Sequence, residues 1–171
     1  MDVRNAVITE YNLVADLNVE AYREFATSIG PEHWTTMEAN LRNVGGRAKE
    51  SQLVVAEDGD TVIGAVVYYP PGSPRSFALA RMIPSTSAYL GVLAVTPARR
   101  REGVARQLTT ECIHRADRDR SDEMWLVTSD LMTSARGLYE GMGFRKRDET
   151  VHYDRRYWSY SIPIQDTRVP A

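Results

Sequence analysis

The chain has 171 residues, with 21 Lys and Arg against 23 Asp and Glu and a net charge of -2, so it offers no general attraction to nucleic acid or to an anionic membrane. Its length suits one domain, residues 1–171, with a full hydrophobic core, and is short for two. A single cysteine, Cys112, excludes an intramolecular disulfide and a cysteine-based metal cluster.

The opening M-D-V-R-N-A-V-I-T-E lacks the apolar centre of a signal peptide. No apolar run approaches the ~20 residues needed to cross a bilayer. The expectation is a soluble, cytoplasmic protein with neither nucleic acid nor membrane as partner. His33, His114 and His152 are far apart and form no ligand spacing, so no metal is expected.

In chain order, Val3 to Ile8 reads as a short strand, followed by helices near Asp16 to Ala26 and Pro31 to Val44. Leu17, Ala21 and Phe25 recur every four residues and share a face. Pro31 suits a helix start, and Gly45-Gly46 is the expected stop. Leu53 to Ala56 and Thr61 to Tyr69 are rich in β-branched and aromatic residues around E-D-G-D, a hairpin signal. Prolines and Gly72 then open a loop running to about Ser87, the kind that serves as a lid or a substrate wall.

Ala88 to Val95 is nearly all apolar, the pattern of a strand buried on both faces, and Thr96-Pro97 ends it. A helix from Gly103 to Asp117 carries Val104, Leu108 and Cys112 in one stripe. Met124 to Thr128 is a second buried-type strand, and Ser134 to Gly141 a short helix. Arg145 to Thr150 and Tyr157 to Ile164 complete the set. The order β-α-α-β-β-β-α-β-α-β-β mixes hairpins with crossovers and predicts an α/β (α+β) fold with one mixed sheet flanked by helices.

The stretch V-T-P-A-R-R-R-E-G-V-A-R-Q-L stands between a buried strand and an amphipathic helix. A helix amino terminus offers N–H groups without intrahelical partners and roughly half a positive charge from the peptide dipoles. Gly103 permits close backbone approach, and Arg99, Arg100 and Arg101 can add charge-assisted bonds to a phosphate. Glu102 opposes this unless its side chain turns to solvent. No Lys-Ser or Lys-Thr follows the glycine, and G-x-G-x-x-G is absent, so neither of those phosphate loops applies. A solvated helix entrance is the competing account of the same residues.

Leu90 to Leu108 resembles the acyl-CoA-binding motif of the GNAT superfamily of N-acyltransferases: strand, proline, then Arg/Gln-x-x-Gly-x-Gly/Ala. Here that is Arg100-Arg101-Glu102-Gly103-Val104-Ala105. The family's Ala-x-x-x-Tyr followed by Gly-Phe is matched by Ala135 to Tyr139 and by Gly143-Phe144. The resemblance implies a GNAT-like fold over most of the chain and an acetyl-CoA-dependent N-acetyltransferase with no metal. The acceptor would be a small-molecule amine or a protein amino group, and a homodimer is common among similar proteins. A CoA-binding sensor or interaction domain without turnover is the alternative.

The resemblance further implies a diphosphate held by main-chain amides from Arg101 through Val104, Ala105 and Arg106, with Arg100, Glu102 and Gly103 in the same loop. The pantetheine arm would lie along Leu93, Ala94 and Val95, pairing at Leu93 and Val95 as a peptide adds to a strand edge. Tyr139 resembles the general acid. A phenol near pKa 10 protonating a thiolate near 8.5 does so uphill in water by roughly 2 kcal/mol, a gap that an apolar site narrows by disfavouring the thiolate. A core aromatic anchoring its helix is a compatible second role.

An acceptor amine near pKa 10.4 is mostly protonated at pH 7, which withholds about 4–5 kcal/mol from attack. Some similar proteins place a carboxylate early in the fourth strand, where this chain has Tyr89. Glu57, His33, His152, water or a backbone carbonyl remain as candidate bases. Relatives often carry Asn seven residues before the tyrosine, where this chain has Met132. Tyr22, Trp34, Tyr68 and Tyr69 are candidates for an acceptor wall or for packing. Cys112, on the apolar stripe, reads as core.

Overall fold

The structure is a computed structural model that describes residues 1–164. It contains a seven-stranded sheet flanked by helices, with strands β1 (Asp2–Asn5), β2 (Gln52–Asp58), β3 (Thr61–Tyr69), β4 (Ala88–Val95), β5 (Glu123–Ser129), β6 (Arg145–His152) and β7 (Arg155–Pro163). Their order is β1-β2-β3-β4-β5-β7-β6. The sheet is mixed: β4 and β5 are parallel, while β1–β2, β2–β3, β5–β7 and β6–β7 are antiparallel. The mixed α/β architecture anticipated from the element order is present.

The residues group into two compact units, one of Met1–Tyr68 with Gly91–Glu111, the other of Tyr69–Leu90 with the chain from Cys112 onward. In the first, the helices are α1 (Tyr11–Tyr22), α2 (Ala26–Ile29), α3 (Pro31–Arg42) and α4 (Val44–Ala48). Strand β1 ends at Asn5, short of the expected Ile8. Arg4 bonds both carboxylate oxygens of Glu10, and Glu10 also accepts from the Val7 amide, which folds residues 8–10 into a 3-10 turn.

Helix α1 begins earlier than the sequence suggested and closes at Tyr22, after which Arg23–Phe25 tighten into a 3-10 turn. Leu17 and Ala21 are buried as their spacing requires, and they form a cluster with Ala94 of β4. Buried Asn18 donates to the Leu41 carbonyl at 3.1 Å, tying α1 to α3. Gly45-Gly46 does not end a helix but lies inside α4. The break falls at Asn43, whose φ of -79° and ψ of 54° are non-helical.

In the second unit, α5 (Val104–Arg118) contributes its carboxyl-terminal half, and α6 (Thr133–Gly141) follows β5. Cys112 and Ala116 are wholly buried, so the cysteine is a core side chain, as the apolar stripe indicated. The β4–β5 ladder pairs Ala88 with Met124 and Tyr89 with Trp125. Among the described residues, strand β6 is the outermost on its side of the sheet. Its residues from Arg145 through Glu149 are exposed, and its register against β7 shifts between Lys146 and Glu149.

The 70–87 loop is ordered around one cation. The Arg75 guanidinium donates to the carbonyls of Pro84 and Pro70, at 3.1 and 3.2 Å, and to that of Ser87. Carbonyls from both ends of the loop are thereby drawn to one side chain. The Gly72 amide adds a backbone bond across the same loop, to the Ser85 carbonyl at 2.8 Å.

Candidate functional site

In the first unit, β4 and the loop after it form a connected feature. Val92 has φ 49°, a left-handed conformation that is a genuine outlier for a β-branched residue. Leu93 follows, and its carbonyl accepts the Tyr22 hydroxyl at 2.9 Å. Ala94 is buried, whereas Val95 is only partly so. The strand ends where the Arg99 amide donates to the Thr96 carbonyl at 2.8 Å, closing a 3-10 turn over Pro97–Arg99.

The turn then runs through two left-handed residues, Arg101 at φ 66° and Gly103 at φ 83°. For Arg101 this conformation costs on the order of 1–2 kcal/mol, whereas glycine adopts it freely. A β-carbon on Gly103 would meet no atom within 4 Å, so the space above it is open to a ligand. Helix α5 starts at Val104, which leaves the amides of Val104, Ala105 and Arg106 in a first turn without intrahelical acceptors. Left-handed residues set between ordinary ones turn successive amides toward one side, a geometry that binds anions.

A second glycine sets how closely α5 approaches the sheet. A β-carbon on Gly64 of β3 would stand 2.9 Å from Val104 Cγ1, 3.0 Å from Leu108 Cδ1 and 3.2 Å from the Ala94 carbonyl oxygen. The first turn of α5 therefore rests on bare backbone. Neither Gly64 nor left-handed Val92 was singled out in the sequence. An interior glycine in a strand is the available signal for the first, and none exists for the second.

The arginines divide. Arg99 bonds Asp58 and Glu102, both at 2.7 Å, and the guanidinium holds the Asp58 carboxyl below its ordinary range. Glu102, the one opposing charge, is thus neutralised by its neighbour. Arg100 donates to the Ala21 carbonyl at 2.8 Å and pairs with Glu24 at 3.0 Å. Arg101 and Arg106 are exposed, and among the described residues neither has an ion-pair partner. Two of the three consecutive arginines brace the loop, and Arg101 with Arg106 supplies its outward charge. The open backbone, the first-turn amides and these two cations suit a diphosphate.

The second unit holds the tyrosine motif. Tyr139 lies on α6, 5% exposed, with its ring edge-on to Phe144 at 5.7 Å between centroids. The Phe144 amide donates to the Tyr139 carbonyl at 3.0 Å, and Gly143 makes the intervening turn at φ 102°. The Ala-x-x-x-Tyr and Gly-Phe pieces thus form one helix end. Tyr160 on β7 donates to Glu140 at 2.8 Å, and burial followed by this carboxylate pushes its phenol up to about 12. Met132 occupies the cap position just before α6.

Tyr89 joins an aromatic group. It stacks on Phe77 of the 70–87 loop at 4.8 Å and 22°, and Tyr69 lies 5.5 Å from Tyr89 and 5.6 Å from Phe77. Among the candidate bases, Glu57 is engaged by Arg4 at 3.1 Å. His33 is buried on α3, and His152 packs against Tyr153 and Tyr157. Trp34 is partly buried on α3, and Tyr68 is wholly buried in β3. Among the described residues, no group of three His, Cys, Asp or Glu could hold a metal ion, and no helix is long and apolar enough to cross a membrane.

With this fold and these two motifs in place, the chain belongs to the acetyltransferase (GNAT) family, whose family model matches residues 14–144. N-alpha-acetyltransferase 30 of Saccharomyces cerevisiae is 32% identical over 87 residues, 48% of this chain and 49% of that protein. The chain thus aligns with about half the length of this curated relative. Among solved structures, one described as histone acetyltransferase HPA2 and related acetyltransferase, from Corynebacterium glutamicum, superposes with TM-score 0.72 at 22% identity, covering 94% of each chain. An acetyltransferase from Salmonella typhimurium, solved with its cofactor acetyl-CoA, gives TM-score 0.69 at 17% identity over 100% of this chain and 98% of that one. Both structures share the fold.

Proposed function

We propose that the protein is an N-acetyltransferase that moves the acetyl group of acetyl-CoA to a primary amine by direct transfer in a ternary complex. The observation that carries this is the loop after β4: left-handed Arg101 and Gly103, unfilled space above Gly103, and first-turn amides of α5. Acetyl-CoA supplies a thioester carbonyl open to attack and a thiolate leaving group. The amides from Arg101 to Arg106 hold its diphosphate, and the main chain at Leu93 and Val95 aligns its arm.

Tyr139 is the general acid in this proposal. The Tyr139 hydroxyl gives its proton to the departing sulfur, and the acceptor nitrogen loses one to a base. Burial of this side chain supports the role, because a low-dielectric surrounding strengthens a hydrogen bond to developing charge. Buried Cys112 is no candidate for a covalent acyl-enzyme, which favours the direct route.

The acceptor is proposed to be the α-amino group of a polypeptide, on the strength of the relative described as an N-alpha-acetyltransferase. Free-thiol release from acetyl-CoA, followed with short peptides bearing free amino termini and with polyamines, aminoglycosides and amino acids, tests both parts. Turnover confined to the peptides is the expected result. Turnover with another amine alone would replace the acceptor. Tight CoA binding without turnover on any amine would move the assignment to a sensor domain.

A further inference from the structure

The end of α1 is fastened to β4 and its loop at three nearby positions. Arg100 donates to the Ala21 carbonyl at 2.8 Å and pairs with Glu24 at 3.0 Å. Between them in sequence, the Tyr22 hydroxyl donates to the Leu93 carbonyl at 2.9 Å. The contacts differ in what they satisfy. Ala21 lies in the last turn of α1, where the helix tightens into the 3-10 turn at Arg23–Phe25, and Arg100 adds a side-chain donor to its carbonyl. Leu93 belongs to a strand, where a carbonyl ordinarily receives a backbone amide.

A phenol on a strand carbonyl marks an acceptor that an amide N–H can claim. Leu93 lies downstream of the ladder pairs at Ala88 and Tyr89 and directly after Val92, whose left-handed φ of 49° reorients the strand. It is only half-buried. An extended ligand carrying secondary amides could dock there as an added strand does.

We propose that the Tyr22 hydroxyl holds, in the ligand-free protein, the hydrogen-bond site on Leu93 that an amide of the acyl-CoA arm takes on binding. This rests on acyl-CoA as the ligand. The exchange replaces one neutral hydrogen bond at the carbonyl by another, and the released phenol turns to water. Arg100 keeps the end of α1 seated while Tyr22 lets go, so the change stays local. A carbonyl oxygen can accept two donors, so the exchange requires that the arm's amide come in along the direction the phenol occupies. Tyr22 then lowers affinity for ligands that carry the arm and leaves affinity for the diphosphate part unchanged. The loss of one such bond corresponds to about 2- to 10-fold in affinity.

The test compares wild type and Tyr22→Phe by calorimetry with two probes. One is CoA. The other is adenosine 3′-phosphate 5′-diphosphate, which keeps the diphosphate and lacks the arm. The ratio of CoA affinity to nucleotide affinity is expected to rise about 2- to 10-fold in the variant, and taking the ratio cancels any general loss of fold. An unchanged or lower ratio overturns the proposal, because a merely structural tyrosine would weaken both probes alike. Failure of wild type to bind either probe would instead overturn acyl-CoA as the ligand.

Discussion

Gly64 and Val104 meet where a strand carries the first turn of a helix: a β-carbon on the glycine would lie 2.9 Å from Val104 Cγ1. Gly64→Ala therefore has to displace that side chain and Leu108, against an Ala94 carbonyl that cannot move freely. A loss of about 1–3 kcal/mol is expected from such overpacking, seen as a lower midpoint in urea. CoA affinity should fall as well on the proposed reading, in which the lifted turn supplies the amides that face the diphosphate. A variant as stable as wild type with unchanged affinity would show that α5 does not depend on this contact.

Arg101 and Arg99 should behave differently although they are two residues apart. Arg101→Ala removes an exposed charge without an ion-pair partner among the described residues, and about a 10-fold loss of CoA affinity is expected, shrinking as salt rises. Arg99 is committed to Asp58 and Glu102, so Arg99→Ala should change affinity by less than about 3-fold, in keeping with the small worth of exposed pairs. Titrations at two ionic strengths check both. Equal losses would mean that the ion pairs do not set the roles.

Tyr139→Phe keeps the ring that packs on Phe144 and removes only the hydroxyl. If the phenol is the acid, kcat should drop by on the order of 100-fold while the melting temperature and the KM for acetyl-CoA stay near wild type. A fall in stability with kcat preserved would assign the residue to packing alone.

The Arg4–Glu10 pair links the first strand to acid stability. The hydrogen bond from Arg4, and then that from the Val7 amide, holds the Glu10 carboxyl below its ordinary 4.5. A carboxyl depressed in the folded state adds stability above that value, and the contribution disappears as pH falls through the folded pKa. Wild type should therefore lose melting temperature more steeply than Glu10→Gln below about pH 4.5, with the two curves converging at the acid end. Parallel curves down to acid pH would contradict this.

How far the sequence could be read depended on whether the cause was local. Strand β4 matched its predicted span because its apolar run is bounded on both sides by turn residues. Family membership was legible because the Arg100–Ala105 string and the tyrosine string are short and have fixed spacing. Gly45-Gly46 misled, since a short helix tolerates both residues once Asn43 has already broken α3. The destinations of Arg99 and Arg100 were not legible, because Asp58 and Glu24 are brought close only by the fold. Left-handed Val92 was hidden for a further reason: β-branched residues argue for a regular strand, and nothing in the letter V signals the opposite.

Strand β6 adds a constraint on assembly. Its exposed run Arg145-Lys146-Arg147-Asp148-Glu149 lies on the last strand of the sheet, and the register shift within it interrupts the ladder. Charged side chains and an irregular backbone both deter a second strand from joining such a border. Two copies laid side by side there would have to desolvate a dense array of guanidinium, ammonium and carboxylate groups to gain a broken set of main-chain bonds. A charged, irregular border of this kind resists the side-by-side addition of a further strand along β6.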